Sequence, residues 1–296
     1  MTIDKPGVFD LSMAEYHGQP TVGHSVSGSG LVKIEQTSLA HYNWHRLNPD
    51  DSDSPALAFG RAFHCLLLEG SDAFHAAYAV KPAGMNFATT EGKRWKVDHA
   101  GREIISDDNF QRAEAMVAAV RNHPLCGKVF RDGKPERSLI WKDEPTGVWL
   151  KARPDWLPQL GQTIANLKSA GSLHPETWER DAIKYGYHQG AALMADGLRA
   201  VLGWEKPVPY FIVQEKEPPY LVAPVVIDDD VIAWGRLLNR RALDRLARAL
   251  ETDHWPGYTE GVMTVRMPAW AETKLQRRHE AGEFSEVDKA RQGPIT

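Results

Sequence analysis

Two strand-like segments and the loop between them decide the fold, and they read VWLKARPDWLPQLGQTIANLK over residues 148–168. The alternating patterns of residues 138–141 and 148–153 flank turn-forming residues at 144–147, which predicts a β-hairpin. Residues 163–168 predict a further strand, because β-branched and apolar positions return there after a loop that contains proline and glycine. We therefore expect three consecutive antiparallel strands.

The polar residues of this stretch fall on two strand faces, because side chains alternate across a strand. Asn166 and Lys168 share one face of the third strand, while Lys151, Arg153 and Asp155 share a face of the second. Adjacent antiparallel strands can bring those faces together. The resulting order is Pro-Asp, ten residues, then Asn-Leu-Lys. It matches the PD…(D/E)XK arrangement, except that asparagine stands where an acid is expected.

The residue types in this arrangement suit phosphodiester hydrolysis. That reaction needs a hard cation to activate water and to neutralise developing charge, and Mg²⁺ prefers carboxylates and waters as ligands. A nearby lysine can orient or deprotonate the water, or stabilise the leaving charge. The motif has three parts, namely two acids and a lysine. Asp155 and Lys168 supply one acid and the lysine. As an isolated pattern the short motif is weak, and two solvated strand residues explain it better, so the surrounding sequence must decide.

Four further segments resemble RecE-type (exodeoxyribonuclease VIII-like) exonucleases of the PD-(D/E)XK superfamily in order and spacing. They are residues 60–69 (GRAFHCLLLE), 136–155 (ERSLIWKDEPTGVWLKARPD), 185–188 (YGYH) and 252–256 (TDHWP). The resemblance extends over about residues 35 to 272. It implies an α/β (α+β) fold with a restriction-endonuclease-like core, in which a central mixed, mainly antiparallel sheet is flanked by helices.

The resemblance also implies a metal centre that takes Mg²⁺, with Mn²⁺ as an alternative. The implied ligands are His64, Asp155, the residue at position 166 and the backbone carbonyl of Leu167. The expected catalytic residues are Glu136, Asp155, Asn166 and Lys168. Without the resemblance, His64 on an apolar helix would more often be a core histidine.

Two positions depart from the family pattern. Asn166 replaces an acid, and an amide offers one neutral oxygen, so metal affinity and catalysis should fall. The other departure is Gly190, where the family has glutamine. Gln189 stands one residue early, which rotates its side chain by about 100° around a helix. Asn166 is either an engineered knockout or a natural loss, and the Gly190 change favours natural divergence.

Basic residues that alternate with aromatic ones are candidate DNA contacts, because Lys and Arg bind phosphates and aromatic rings stack on bases. The expected DNA-binding residues are Lys93, Arg94, Lys151, Arg153, Tyr187, His188 and Gln189. A solvated loop over residues 91–96 and an ordinary strand edge explain the first four about equally well. The basic face of a helix over residues 236–248 is more typical of a solvated surface than of a DNA or oligomer contact.

The chain divides into three segments by composition. Residues 1–33 predict a flexible N-terminal arm, residues 34–272 the exonuclease domain, and residues 273–296 a charged C-terminal tail. Helices are expected at about 37–46, from 55 onward, at 108–122, as one long helix at 175–202, and at 228–251. Two more strands are expected at 208–213 and 220–227.

Composition excludes some classes of protein. The net charge of −4 means that any DNA contact must come from a local patch. The two cysteines cannot hold a four-thiolate iron–sulfur cluster, and they fit a reduced cytoplasmic protein. No apolar run approaches a membrane span, which predicts an intracellular protein without membrane contact. The resemblance implies the cytoplasm of a bacterial or phage-infected cell.

The resemblance implies a complete activity and its partners. It implies processive, Mg²⁺-dependent 5′-to-3′ digestion from double-stranded DNA ends in phage-type recombination. It further implies a homo-oligomeric ring and a single-strand annealing partner of the RecT type. Because of Asn166, we expect weakened or absent cleavage. The alternative is a non-catalytic DNA-binding or regulatory protein on the same scaffold.

Overall fold

A computed structural model describes residues 2–49 and 54–287 of the 296-residue chain, and these contain eleven strands and twelve helices. The strands are β1 (Gly7–Phe9), β2 (Ser25–Ser27), β3 (Tyr78–Lys81), β4 (Glu103–Ser106), β5 (Gly133–Pro135), β6 (Ser138–Lys142), β7 (Trp149–Ala152), β8 (Trp156–Pro158), β9 (Thr163–Ala170), β10 (Val208–Glu215) and β11 (Val222–Val226). The helices are α1 (Met13–His17), α2 (Gly28–Gln36), α3 (Leu39–Leu47), α4 (Pro55–Leu68), α5 (Ser71–Ala77), α6 (Thr90–Asp98), α7 (Asp107–Asn122), α8 (Cys126–Val129), α9 (Pro175–Lys184), α10 (Tyr187–Leu202), α11 (Asp229–Thr252) and α12 (Ala269–Glu280).

The predicted hairpin forms the centre of a four-stranded sheet with the order β1-β6-β7-β2. β6 and β7 are antiparallel, with Trp141 opposite Leu150. β1 pairs antiparallel with β6 on one edge, and β2 pairs parallel with β7 on the other. The hairpin therefore supplies both edges on which the N-terminal strands pair.

The third predicted strand, β9, lies in a different sheet, of order β11-β10-β9-β8-β5. The expectation of three consecutive antiparallel strands is therefore wrong. Pro154 follows β7, and proline has no backbone N–H to continue the ladder, so the chain turns there and forms β8. β8 pairs antiparallel with β9, with Trp156 opposite Ala165, and β9 pairs parallel with β10. The predicted fold class, an α/β core with a central mixed sheet flanked by helices, is confirmed.

Helices cover both faces of β9. Phe63 of α4 and Met116 of α7 pack with Leu167 in one buried cluster. The opposite face of β9 is turned toward α10, and there Ile164 packs with Leu198 of that helix. Since side chains alternate, Asn166 and Lys168 lie on the same face as Ile164. The two faces of β9 therefore pack against different helices.

Residues 1–33, expected to form a flexible arm, contain β1, α1, β2 and the first part of α2. Val8 lies opposite Leu139 and Val26 opposite Leu150, and Ile3 is also buried. Strand pairing at a sheet edge uses backbone groups, which need no hydrophobic period in the added segment. This explains why the sequence pattern indicated an arm.

Two other local expectations also need correction. The long helix expected over residues 175–202 is two helices, because Gly186 has φ of 70° between α9 and α10. A side chain there would also approach Val32 to 2.6 Å. The loop expected at residues 91–96 lies in helix α6, whose N-cap Thr89 accepts a hydrogen bond from the backbone of Gly92.

The structure divides into two compact units, Met1–Trp255 and Pro256–Thr296. The second unit contains α12, so the predicted start of the tail at residue 273 falls inside a helix. Residues 288–296 of the predicted tail lie outside the described residues. Among the described helices, none is both long enough and apolar enough to cross a membrane.

Candidate active site

Glu136 has a backbone conformation that residues other than glycine rarely adopt. Its φ is 53°, in the short connection between β5 and β6. Its backbone N–H donates to the carbonyl oxygen of Asp155 at 3.2 Å. Left-handed backbone costs about 1–3 kcal/mol at such a residue and is often retained at functional sites. Here it accompanies a carboxylate that lies 4.0 Å from Nδ1 of His64.

His64, Glu136 and Asp155 form the one histidine–carboxylate cluster of metal-site type among the described residues, with one ligand atom from each within 4.8 Å of the others. Buried residues of α4, including Phe63 and Leu66, anchor that helix and leave His64 partly exposed. Asp155 is buried. One imidazole and two carboxylates suit a divalent cation, so the residues present fit the metal that the fold implies.

The Asn166-Leu167-Lys168 segment joins the site through backbone groups. A carboxylate oxygen of Asp155 accepts a hydrogen bond from the backbone N–H of Leu167. Nζ of Lys168 donates to the carbonyl oxygen of Leu167 at 3.1 Å. That carbonyl is the predicted metal ligand, and in this structure it binds the lysine. Asn166 is 7% exposed.

Two cavities hold the predicted catalytic residues. A cavity of about 690 Å³ is lined by His64, Glu136 and Asp155. A second cavity of about 420 Å³ is lined by Asn166, Lys168, Tyr187 and Gly190. Tyr16 and Arg153 line both cavities. The structure thus places Asp155 and Lys168 on two sides of a shared wall.

Arg153 and Tyr16 form that wall. The guanidinium lies 4.6 Å from the centroid of the Tyr16 ring and 3.9 Å from the Glu136 carboxylate. It donates to Ser138 Oγ and to the carbonyl oxygen of Leu11. Burial raises the pKa of Tyr16, so the phenol stays neutral beside the cation. Arg153 thus places a positive charge next to the acidic cluster.

Tyr16 was not among the residues expected at the site. It belongs to α1, whose start is fixed by Ser12 and Glu15: each side chain bonds the other residue's backbone N–H. The Ser-x-x-Glu pattern is readable in the sequence as a helix start. Its position against Arg153, by contrast, follows from the pairing of β1 with β6 and has no local signal.

Lys151 was expected to contact DNA, and the structure corrects this. The side chain is buried at 4% exposure, and Nζ donates to the carbonyl oxygens of Tyr16 at 2.6 Å and Gly18 at 2.8 Å. Burial lowers its pKa to about 8. An ammonium enclosed in this way is not available to a phosphate.

His188 and Gln189 are also buried, which corrects their expected contact with DNA. Nε2 of Gln189 donates to Asn239 at 3.1 Å, and Asn239 donates back to the Gln189 carbonyl at 2.8 Å. Gln189 therefore joins α10 to α11, and it does not replace the glutamine expected at Gly190. Burial lowers the pKa of His188. Tyr187 is half-buried, with its ring centroid 5.9 Å from Nζ of Lys168.

Four of the five arginines of α11 lie within 4 Å of an acid. Arg236 lies 2.9 Å from Asp196, Arg240 lies 2.9 Å from Asp143, and Arg241 pairs with Glu35. Ion pairing reduces the positive potential available to DNA. The structure therefore favours a solvated surface over a DNA contact for this helix, in agreement with its sequence pattern. Lys93 and Arg94, in contrast, are exposed on α6.

Comparison with known proteins identifies the fold and the family. Among solved structures, the "Putative exonuclease" of Eubacterium rectale superposes with a TM-score of 0.63 at 17% identity, and the match covers 88% of this chain and 97% of that one. This likeness shows the fold. The alkaline exonuclease LHK-Exo of Laribacter hongkongensis is 16% identical over 57% of this chain and 87% of that one, with a TM-score of 0.23. In complex with dAMP it is 15% identical over 65% and 91%, with the same TM-score.

No curated protein sequence matches the chain significantly. Residues 27–268 match a family described as PDDEXK-like domain of unknown function, DUF3799. The match includes all the residues of the histidine–carboxylate cluster and the Asn166-Leu167-Lys168 segment. The predicted PD-(D/E)XK-type fold is confirmed, and the chain belongs to this PDDEXK-like family.

Proposed function

We propose that this protein is a metal-dependent exonuclease that degrades double-stranded DNA from its ends. The observation that carries the proposal is the cluster of His64, Glu136 and Asp155 within 4.8 Å in a member of the PDDEXK-like family. Lys168 lines the adjoining cavity, which shares Tyr16 and Arg153 with the cavity of the cluster. The fold shared with the Eubacterium rectale protein supports it.

The geometry gives each residue a role in hydrolysis. His64, Glu136 and Asp155 would hold Mg²⁺ or Mn²⁺, which supplies an activated water and offsets charge on the phosphate when bound. The Nζ–H groups of Lys168 would donate to a phosphate oxygen as negative charge develops. Arg153 would attract the phosphate and compensate the charge of Glu136, which lies 3.9 Å away.

Asn166 is expected to slow this reaction without abolishing metal binding. Its amide brings no negative charge into the cavity that holds Lys168. Glu136, however, provides a second carboxylate at the metal cluster, so the donor set keeps two negative charges. This favours a weakened nuclease over the alternative, a DNA-binding or regulatory protein without activity. The observation that supports the non-catalytic alternative is Asn166 itself, because it stands where the family has an acid.

Finer features of the function rest on the resemblance to RecE-type exonucleases. We propose 5′-to-3′ polarity, action within phage-type recombination, and a single-strand annealing protein of the RecT type as partner. We also propose a homo-oligomeric ring and a location in the cytoplasm of a bacterial or phage-infected cell.

The proposal is tested by digesting end-labelled duplex DNA with Mg²⁺ or Mn²⁺. We expect slow release of nucleotides by this chain and a rate at least about tenfold higher for Asn166→Asp, since removing one such charge stabilisation typically costs a factor of ten or more. His64→Ala in the Asn166→Asp background should remove cleavage. Equal rates for the chain and its Asp form would contradict our account of Asn166. If neither form cuts, the non-catalytic function replaces the nuclease.

A further inference from the structure

Three half-exposed aromatic rings stack on one another around α6. The centroids of Phe87 and Trp95 are 5.9 Å apart with 27° between the planes, and those of Trp95 and His99 are 4.0 Å apart with 21°. Trp95 and His99 are four residues apart and so share a helix face. We call Phe87, Trp95 and His99 the α6 stack.

The α6 stack is braced locally. A Cβ atom at Gly92 would lie 2.2 Å from the carbonyl oxygen of Asn86, so the helix packs tightly on the loop that precedes it. Among the described helices and strands, none packs extensively against α6. The three rings also belong to none of the buried hydrophobic clusters of the described chain. Core packing of the domain therefore does not explain these rings.

Cations surround the α6 stack. Nζ of Lys96 lies 4.4 Å and Nζ of Lys81 lies 5.0 Å from the centroid of the Phe87 ring. Lys93 and Arg94 are exposed on the helix, and Arg94 lies 3.9 Å from Asp98. Residues 81–99 carry four Lys or Arg and two acids, in a chain whose net charge is −4. This is a locally positive surface on an acidic protein.

The α6 stack is connected to the proposed active site through β3. Tyr78, the first residue of β3, lines the cavity that contains His64 and Glu136. Lys81 ends β3 three residues later, which corresponds to about 10 Å along a strand. The cationic end of the α6 stack therefore lies about 10 Å along β3 from a residue that lines the cavity of the metal cluster.

We propose that the α6 stack binds single-stranded DNA close to the active site, an inference that rests on the proposed nuclease function. Unpaired bases expose their faces to aromatic rings, whereas a duplex exposes base faces only at its ends. Exposed lysines can follow the phosphates without reading sequence. The strand that remains unpaired when a duplex end is digested supplies such a ligand.

Stacking is tested with a fluorescent 12-nucleotide single strand and an abasic strand of the same length, by anisotropy in EDTA. We expect Trp95→Ala to bind the normal strand about tenfold more weakly and to lose the preference over the abasic strand. Trp95→Phe should keep most of the affinity, which separates loss of the ring from unfolding of α6. The matched control is Trp234→Ala, an exposed tryptophan on α11. Unchanged affinity of Trp95→Ala, or an equal loss on both strands, would overturn the proposal.

The charge contribution is tested with Lys93→Ala combined with Lys96→Ala. Both strands should bind more weakly, and the slope of log K against log salt should fall in magnitude by about 1.4, since each phosphate contact contributes about 0.7. Lys128→Ala with Lys206→Ala is the control pair, exposed and remote from α6 in sequence. An unchanged slope would overturn the assignment of these lysines to phosphates.

These binding assays contain no metal, so they are independent of cleavage. A protein that binds the single strand through Trp95 and cuts no DNA would refute the nuclease proposal alone. A protein that cuts DNA but binds the single strand equally well after Trp95→Ala would refute only the proposal that the α6 stack binds single-stranded DNA.

Discussion

At the scale of single residues, the left-handed backbone of Glu136 links stability to metal binding. Its φ of 53° is unfavourable for glutamate and ordinary for glycine. We expect Glu136→Gly to raise the free energy of unfolding by about 1 kcal/mol in urea titrations without metal. The same variant should bind Mn²⁺ at least about tenfold more weakly by calorimetry, because one of two carboxylates is lost.

Asp253 provides a matched control for that substitution, since its φ is 50° at the end of α11. Asp253→Gly should leave Mn²⁺ affinity unchanged. If Glu136→Gly binds Mn²⁺ as tightly as the unchanged chain, Glu136 is not a ligand and the cluster is structural.

Lys151 predicts a specific dependence of stability on pH. Burial lowers its pKa from 10.5 to about 8 in the folded protein. Between pH 8 and 10.5 the unfolded chain therefore binds more protons at this site, so stability from this group rises with pH in that window and is constant below it. The gain is at most about 3 kcal/mol, because its two hydrogen bonds to carbonyl oxygens favour the charged form.

Lys151→Met should remove this dependence. The measurement is urea unfolding from pH 7.5 to 10.5, with the difference between the two proteins taken at each pH. A difference that does not vary with pH would show that Lys151 titrates near its ordinary value and is more solvated than the structure indicates.

At the scale of secondary-structure elements, the break between α9 and α10 positions Tyr187 at the cavity that holds Lys168. Gly186 has φ of 70°, and a Cβ there would lie 2.6 Å from Val32. We expect Gly186→Ala to lower the free energy of unfolding by about 2–4 kcal/mol, from backbone strain together with overpacking.

Gly203 separates these two causes, because it has φ of 66° at the other end of α10 and open space around its Cβ position. Gly203→Ala should cost only the backbone strain of about 1–2 kcal/mol. The comparison uses urea unfolding followed by tryptophan fluorescence. Equal losses for the two variants would show that contact with Val32 does not fix the break.

Elements with strong local signals formed where the sequence predicted them. Ser38 and Ser54 cap α3 and α4 at the expected starts, and α7, capped by Ser106, begins at Asp107, one residue before the expected start. The hairpin of β6 and β7 also has the predicted turn. Capping and turn chemistry act within a few residues, so a single sequence reveals them. Helix α6 was not predicted, because its residues are charged or polar on nearly every face and show no helical period.

At the scale of the whole molecule, a chain whose net charge is −4 carries a locally basic surface around α6. Four of the five arginines of α11 pair with acids from other elements, such as Glu35 and Asp143. Around the α6 stack, Lys81 and Lys96 lie near the Phe87 ring instead, which leaves their charge available. Attraction of a DNA strand to this protein should therefore be local and sensitive to salt.

The sequence by itself determined the hairpin, the principal helices and the candidate residues Asp155 and Lys168, because period, capping and motif spacing are local properties of the chain. The fold class and the candidates His64 and Glu136 followed from the order and spacing of the segments that resemble RecE-type exonucleases. Only the tertiary structure decided which candidates meet: Glu136 joined His64 and Asp155, Lys151 and Gln189 were buried, and Tyr16 entered the site. These outcomes depend on strand pairing and helix packing between distant segments. Such long-range contacts produce no periodic pattern in the local sequence of the residues concerned.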